Sequence, residues 1–218
     1  MMDFEVARAN MVESQIRTWE VLDQRVLDLV LELKREAFVP EAYRMLAFAD
    51  MEIPLGHGEF MLAPKLEARL VQELGVGPGD RVLEIGTGSG YMTALLARLG
   101  SHVTSVEIDP EFSRNAAARL ERAGIRNVTL EIGDGALGWP RHAPYDAILV
   151  GGSLPMLPEE LKAQLAPGGR LVAVMGRPPI MTARLVTCLA PGQFNVAGLF
   201  ETSIPMLKHA REPERFVF

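Results

Sequence analysis

A chain of 218 residues, 48% hydrophobic and 23% charged, can bury one large core or at most two small ones. Its net charge of −6 argues against a broad nucleic-acid surface, which needs clustered lysines and arginines. No apolar run approaches the ~18–20 residues that cross a bilayer, so no membrane association is expected.

The opening residues, MMDFEVARAN, lack the basic-then-apolar pattern of a secretory signal. The first 60 residues read as helical. Segment 11–23 (MVESQIRTWEVLD) is expected to pack on a sheet, with a cofactor cover or a subunit contact as alternatives. Asp23 is a cap for a helix carrying Val26, Leu27, Val30 and Leu33, which ends before Pro40. Lys34-Arg35 lies among glutamates and reads as a solvated helix face. GHGEFMLAP (56–64) has the glycines, histidine and glutamate of a working loop, then three apolar residues. Pro64 opens a helix with Leu66, Leu70, Val71 and Leu74 on one face, and Gly75 ends it.

From Arg81 short β-branched runs alternate with helices: RVLEI, YMTALLARL, HVTSVEI, PEFSRNAAARLERAG, NVTLEI, YDAILV, LPEELKAQL and RLVAVMG. That alternation implies a parallel sheet covered on both faces. TARLVTCLA and QFNVAGLFE are separated only by a turn at Pro191-Gly192, so they pair antiparallel at one edge. The fold class is α/β: a doubly wound, mostly parallel seven-stranded sheet with an antiparallel C-terminal edge. Residues 1–62 form a helical extension packed on the main unit, residues 63–218. Cys188, the only cysteine, sits in a strand pattern that buries it and suits a reducing cytoplasm. The histidines at 57, 102, 142 and 209 have no partners at ligand spacing, so no metal is expected.

In such sheets ligands bind beyond the carboxyl ends of the strands, where the strand order reverses. The first strand-to-helix turn, LEIGTGSGY, places Gly86, Gly88 and Gly90 there. A dinucleotide fingerprint wants its third glycine one residue later, where Tyr91 stands, which weakens but does not remove that reading. Glu107, at the end of the second strand, could accept two ribose hydroxyls. Asp134, in the turn Gly133-Asp134-Gly135, could accept an adenine amino group. Each alone reads equally as a solvated strand end or a turn residue; together, at three successive strand ends, they describe a nucleoside site.

The stretches E-I-G-T-G-S-G-Y, V-E-I, G-D-G and L-A-P-G-G-R-L resemble a class I S-adenosylmethionine-dependent methyltransferase. R-E-A-F-V-P (35–40), A-x-A-D before I-P-L-G (47–56) and A-P (63–64) narrow the resemblance to the protein-L-isoaspartate O-methyltransferase family. It runs from about residue 10 to about 175, with an echo in I-P-M-L (204–207). It implies S-adenosyl-L-methionine as cofactor, and protein or peptide substrates bearing isoaspartyl residues. Its cofactor shell falls on Glu84, Gly86, Thr87, Gly88, Ser89, Gly90, Tyr91, Glu107, Ile108, Gly133, Asp134 and Gly135.

The family's segment before the helix usually reads Q-T-I-S-A-P, with the serine beside the methyl group. Here those places read Glu59, Phe60, Met61, Leu62, Ala63 and Pro64. Leu62 therefore stands where a catalytic hydroxyl is expected, with Ser153 as a candidate replacement and Glu59 a possible repulsive neighbour. Three readings stay open: an isoaspartyl methyltransferase, a methyltransferase with a less charged acceptor using His57 or Glu59 as base, and a cofactor-binding module without turnover. Oligomeric state is open.

Overall fold

The computed structural model describes residues 3–212. Met1, Met2 and residues 213–218 of the two expected segments lie outside the described residues. The Asp3 carboxylate caps α1 (Phe4–Met11), which continues through a π-helical turn to Ile16 and a 3-10 turn to Trp19. Asp23 caps α2 (Gln24–Glu32) by accepting the Arg25 amide at 2.9 Å, satisfying one of the helix's free N–H groups.

The helical reading of the first 60 residues fails at its end. Residues 53–61 form an antiparallel hairpin, β1 (Ile53–Gly56) and β2 (Glu59–Met61). Gly56, His57 and Gly58 all take positive φ in its turn. Local turn chemistry overrides the helical context there, because two glycines flank a residue forced into left-handed backbone.

Pro64 opens α3 (Pro64–Leu74), and Gly75 closes it in the left-handed conformation. Then follow β3 (Arg81–Ile85), α4 (Tyr91–Leu99), β4 (His102–Glu107), α5 (Pro110–Arg122) and β5 (Val128–Ile132). The chain continues through β6 (Tyr145–Val150), a short α6 (Glu159–Lys162), β7 (Leu165–Arg177), β8 (Ile180–Ala190) and β9 (Gln193–Glu201). The sheet order is β5-β4-β3-β6-β7-β8-β9. Strands β3 to β7 pair in parallel, and β7-β8 and β8-β9 antiparallel. Strand order reverses between β3 and β6, which fixes where a ligand crevice opens.

Successive residues of each strand feed opposite cores, as the pleat requires. Val82, Val103, Leu149 and Val172 face α3, α4 and the N-terminal segment; Leu83, Ile85, Ile148 and Leu171 face the other side. Cys188 is buried in that second core. Segment 11–23 packs on α3 and, with Val12, Ile16 and Val21, joins the core that covers this face of the sheet. Its Trp19 carbonyl accepts from Arg69 at 2.7 Å, and Gln72 accepts the Leu22 and Asp23 amides. Trp19 also sets its ring edge-on to Phe200 of β9 at 5.4 Å.

The solvated reading of Lys34-Arg35 holds for Lys34 only; Arg35 is fully buried. Its guanidinium can leave water because it donates to the Ala47 carbonyl, the Glu67 carboxylate and the Leu62 carbonyl at 2.9, 2.8 and 2.7 Å. It also lies over the Tyr91 ring at 5.2 Å. No helix among the described residues is long and apolar enough to cross a membrane.

Candidate active site

The crevice at the β3/β6 reversal is walled by six glycines: Gly86, Gly88, Gly133, Gly135, Gly151 and Gly152. With no side chains there, backbone amides and carbonyls stay open to a ligand. The loop after β3 turns back at Gly88, whose φ of +52° few other residues adopt. The turn aims the Gly88 amide at Glu107 Oε2, 2.8 Å away, while the Asp109 amide donates to Oε1 at 3.0 Å. Glu107 is thus held rigid at the end of β4, with a lone pair left on each oxygen for a further donor.

Across the crevice Asp134 lies in the turn after β5, its Oδ1 accepting the Ala136 amide at 3.0 Å and its Oδ2 facing His209 Nδ1 at 2.8 Å. Partial burial raises this carboxyl, but the amide and the histidine outweigh it and leave the net pKa below the ordinary aspartate value. Ile108 also lines the crevice.

Glu84 sits beneath the glycine loop. Its Oε2 accepts Thr93 Oγ1 at 2.5 Å and Ser105 Oγ at 2.6 Å, and Ser105 also meets Thr87 Oγ1 at 2.6 Å. Glu84 Oε1 is buried without a partner, on a small cavity that Leu62, Thr87, Ser89 and Met92 also line. Burial pushes the Glu84 carboxyl up to about 8, against the lowering hydroxyls. A buried acceptor with no donor is costly, so this oxygen is poised for a cation or a proton.

The hairpin and the residues leading into α3 form another wall of the crevice, with Leu55, Glu59, Phe60 and Leu62 lining it. Leu62 is buried against the crevice, and Phe60 lies half-open beside it. Glu59 pairs with Lys208 at 2.9 Å, so its charge is compensated. His57 points its Nδ1 at Asp109 Oδ2, 2.5 Å away, and that hydrogen bond raises its pKa. This ties up the nitrogen that faces Asp109.

Two sequence candidates lie elsewhere. Ser153 is completely buried behind the C-terminal segment, its amide donating to Pro205 and its carbonyl accepting from Leu207; its hydroxyl has no partner. It is not among the residues lining the crevice. The Tyr91 side chain packs inward on Phe38 and Arg35 instead of facing the crevice. Gly90 serves packing, since a Cβ there would stand 3.0 Å from that of Ala116 in α5.

Sequence reasoning missed the strap formed by Pro205–Lys208, which lines the crevice together with Leu55, Phe112 and Ala136. Close approach of Leu207 to Gly152 seats it: a Cβ on Gly152 would meet the Leu207 backbone at 2.9 Å. The I-P-M-L echo was the only sequence signal for it.

Residues 7–187 match the model of the family described as protein-L-isoaspartate(D-aspartate) O-methyltransferase. The chain is 50% identical over 157 residues to a protein-L-isoaspartate O-methyltransferase of Anaeromyxobacter dehalogenans, covering 72% of this chain and 75% of that protein. It is 41% identical over 203 residues to one from Methylorubrum extorquens, covering 93% and 89%. A solved protein-L-isoaspartate O-methyltransferase superposes with a TM-score of 0.79 at 29% identity, over 91% of this chain and 65% of that one. A Plasmodium falciparum structure described as a β-aspartate methyltransferase, in complex with S-adenosyl-L-homocysteine, shares the fold with a TM-score of 0.77 at 21% identity, over 95% and 99%.

Proposed function

The chain belongs to the protein-L-isoaspartate(D-aspartate) O-methyltransferase family, and on that premise we propose how its own residues carry out S-adenosylmethionine-dependent methylation of an isoaspartyl carboxylate. The observation that carries the assignment is the pair of amide-held oxygens on Glu107 beside a crevice walled by glycines.

The residues fit the cofactor. Glu107 has two free lone pairs for vicinal ribose hydroxyls, Asp134 has a carboxylate for the adenine amino group, and Glu84 Oε1 is an orphaned acceptor for the amino acid's ammonium. When bound, the cofactor supplies a methyl group already activated on a sulfonium. The protein's work is to orient the acceptor and exclude water. An isoaspartyl carboxylate is ionised at neutral pH, since its unperturbed pKa is about 4, so no general base is required.

Leu62 presses apolar surface where a hydroxyl would hold the acceptor. Lys208, the one cation lining the crevice among the described residues, takes over that positioning by releasing Glu59 for the acceptor carboxylate. The substrates are proteins or peptides bearing isoaspartyl residues. The test is methyl-ester formation on an isoaspartyl peptide and its aspartyl counterpart. Labelling of the isoaspartyl peptide alone is expected. Protein that binds S-adenosylhomocysteine, yet leaves that peptide unmethylated where a serine-containing relative methylates it, would sink the assignment.

A further inference from the structure

A second cleft, of about 630 Å³, lies away from the methyl-transfer crevice, between residues 29–44 and the outer faces of α4 and α5. Its size is that of an ordinary small-ligand pocket. Asn115, Ala118, Arg119 and Arg122 line it from one face of α5, as spacings of three and four along a helix dictate. Arg98 of α4 and Lys34 complete the basic side.

The charges there do not cancel. Five cations line the cleft, counting Arg44, against the three carboxylates Glu32, Glu36 and Glu41. Glu36 is already taken by Arg8 at 2.6 Å, and Glu41 lies 3.7 Å from Arg44. Among the described residues Lys34, Arg98, Arg119 and Arg122 have no carboxylate within ion-pair distance. This surplus stands on a chain whose net charge is −6.

The C-terminal dipole of α5 accounts for Arg122 in its last turn. Arg119 shares that last turn, but unlike the exposed Arg122 it is half-buried and donates only to the Ser89 carbonyl, at 3.2 Å. Burial, and then the nearby Arg122, make that guanidinium harder to keep charged. Leu33 and Val39, each with a little exposed apolar surface, give the cleft a floor that a carbon skeleton can touch.

We propose that this cleft binds a small organic phosphate, its phosphate group forked between Arg98, Arg119 and Arg122 and its carbon part against the floor. Guanidinium geometry matches phosphate oxygens in pairs, and two or three arginines without carboxylate partners are what such recognition needs. The cleft shares no lining residue with the methyl-transfer crevice.

The probe is 1-naphthyl phosphate, titrated calorimetrically into the full chain saturated with S-adenosylhomocysteine. Saturable binding below about 1 mM is expected, with inorganic phosphate competing more weakly. Arg98→Gln/Arg122→Gln should weaken it by roughly tenfold or more while keeping S-adenosylhomocysteine affinity. If that variant loses S-adenosylhomocysteine affinity, the exposed pair Lys34→Gln/Arg98→Gln decides in its place, again with weaker naphthyl phosphate binding expected. No saturable binding, displacement by S-adenosylhomocysteine, no competition by phosphate, or unchanged affinity in the deciding variant would each overturn the site.

Discussion

Replacing Leu62 by serine isolates one side chain on the wall of the crevice that we assign to the acceptor. The backbone at this position is fixed independently, because the Leu62 carbonyl accepts from Arg35 at 2.7 Å. The exchange therefore delivers a hydroxyl without moving the loop. Its gain is one hydrogen bond to a charged group, roughly 1.5–3 kcal/mol, or about a ten- to 150-fold rise in kcat/KM for an isoaspartyl peptide. Its cost is lost packing of a side chain that is 7% exposed. Large-to-small changes in cores cost about 2–5 kcal/mol, and the lower end applies where the void opens into a crevice. The assay is methyl transfer from labelled S-adenosylmethionine, run at low temperature beside S-adenosylhomocysteine titrations. A folded variant with wild-type cofactor affinity and no rise in kcat/KM would refute the assignment of Leu62 to the acceptor site.

Glu107→Gln turns one acceptor into a donor facing an amide, so S-adenosylhomocysteine affinity by calorimetry should fall by at least about 30-fold, near 2 kcal/mol. Lys208→Met should raise KM for the isoaspartyl peptide roughly tenfold in steady-state assays, with cofactor affinity nearly unchanged. Arg35→Met leaves Glu67 and two carbonyls unpaired in the core, and thermal or urea unfolding should show about 3–5 kcal/mol lost. Glu84 near 8 predicts a pH effect: a cationic ligand group favours the carboxylate, so binding below pH 8 releases a proton and S-adenosylhomocysteine affinity rises from pH 6 to 8, by up to ~10-fold per unit. Glu84→Gln should flatten that slope. The raised pKa also means that the unliganded fold holds this proton more tightly than the unfolded chain, so its stability falls as pH rises from 4.5 towards 8.

Strands and helices after Arg81 were legible because periodicity of two or 3.6 is written locally. RVLEI, YMTALLARL and YDAILV begin and end in the structure where the patterns do. The glycine turn and the carboxylates at the strand ends were legible for a related reason: the fold brings successive strand ends together. Family membership then selects the isoaspartyl reading from the three that the residues left open. What could not be read depends on distant pairing. Arg35 looked solvated because Glu67, its partner 32 residues on, gave no local sign. Ser153 looked available because nothing in V-G-G-S-L-P shows that Pro205 and Leu207 cover it. The strap itself has no periodic signature, and its place depends on the missing side chain at Gly152.

The buried ion pairs bear on the mechanism as well as on stability. Arg35 ties three pieces of chain together: the Ala47 carbonyl ahead of the hairpin, the Leu62 carbonyl after it, and Glu67 in α3. Arg8 holds Glu36, one residue from Arg35, at 2.6 Å. Replacing such pairs with apolar groups often costs little stability, so their worth here lies in fixing one geometry. The geometry they fix is the path of residues 59–64 past the cofactor crevice. Leu62 therefore sits on a backbone held by these ties, and an exchange at this position is confined to a side chain. For that reason an exchange of the Leu62 side chain should leave the cofactor site standing, and Glu107 and Leu62 should respond separately. Their combined variant should show additive free energies, since the Glu107 and Leu62 side chains share no hydrogen-bond partner. Strong coupling between them in a double-mutant cycle would mean that residues 59–64 move with the cofactor loop after all.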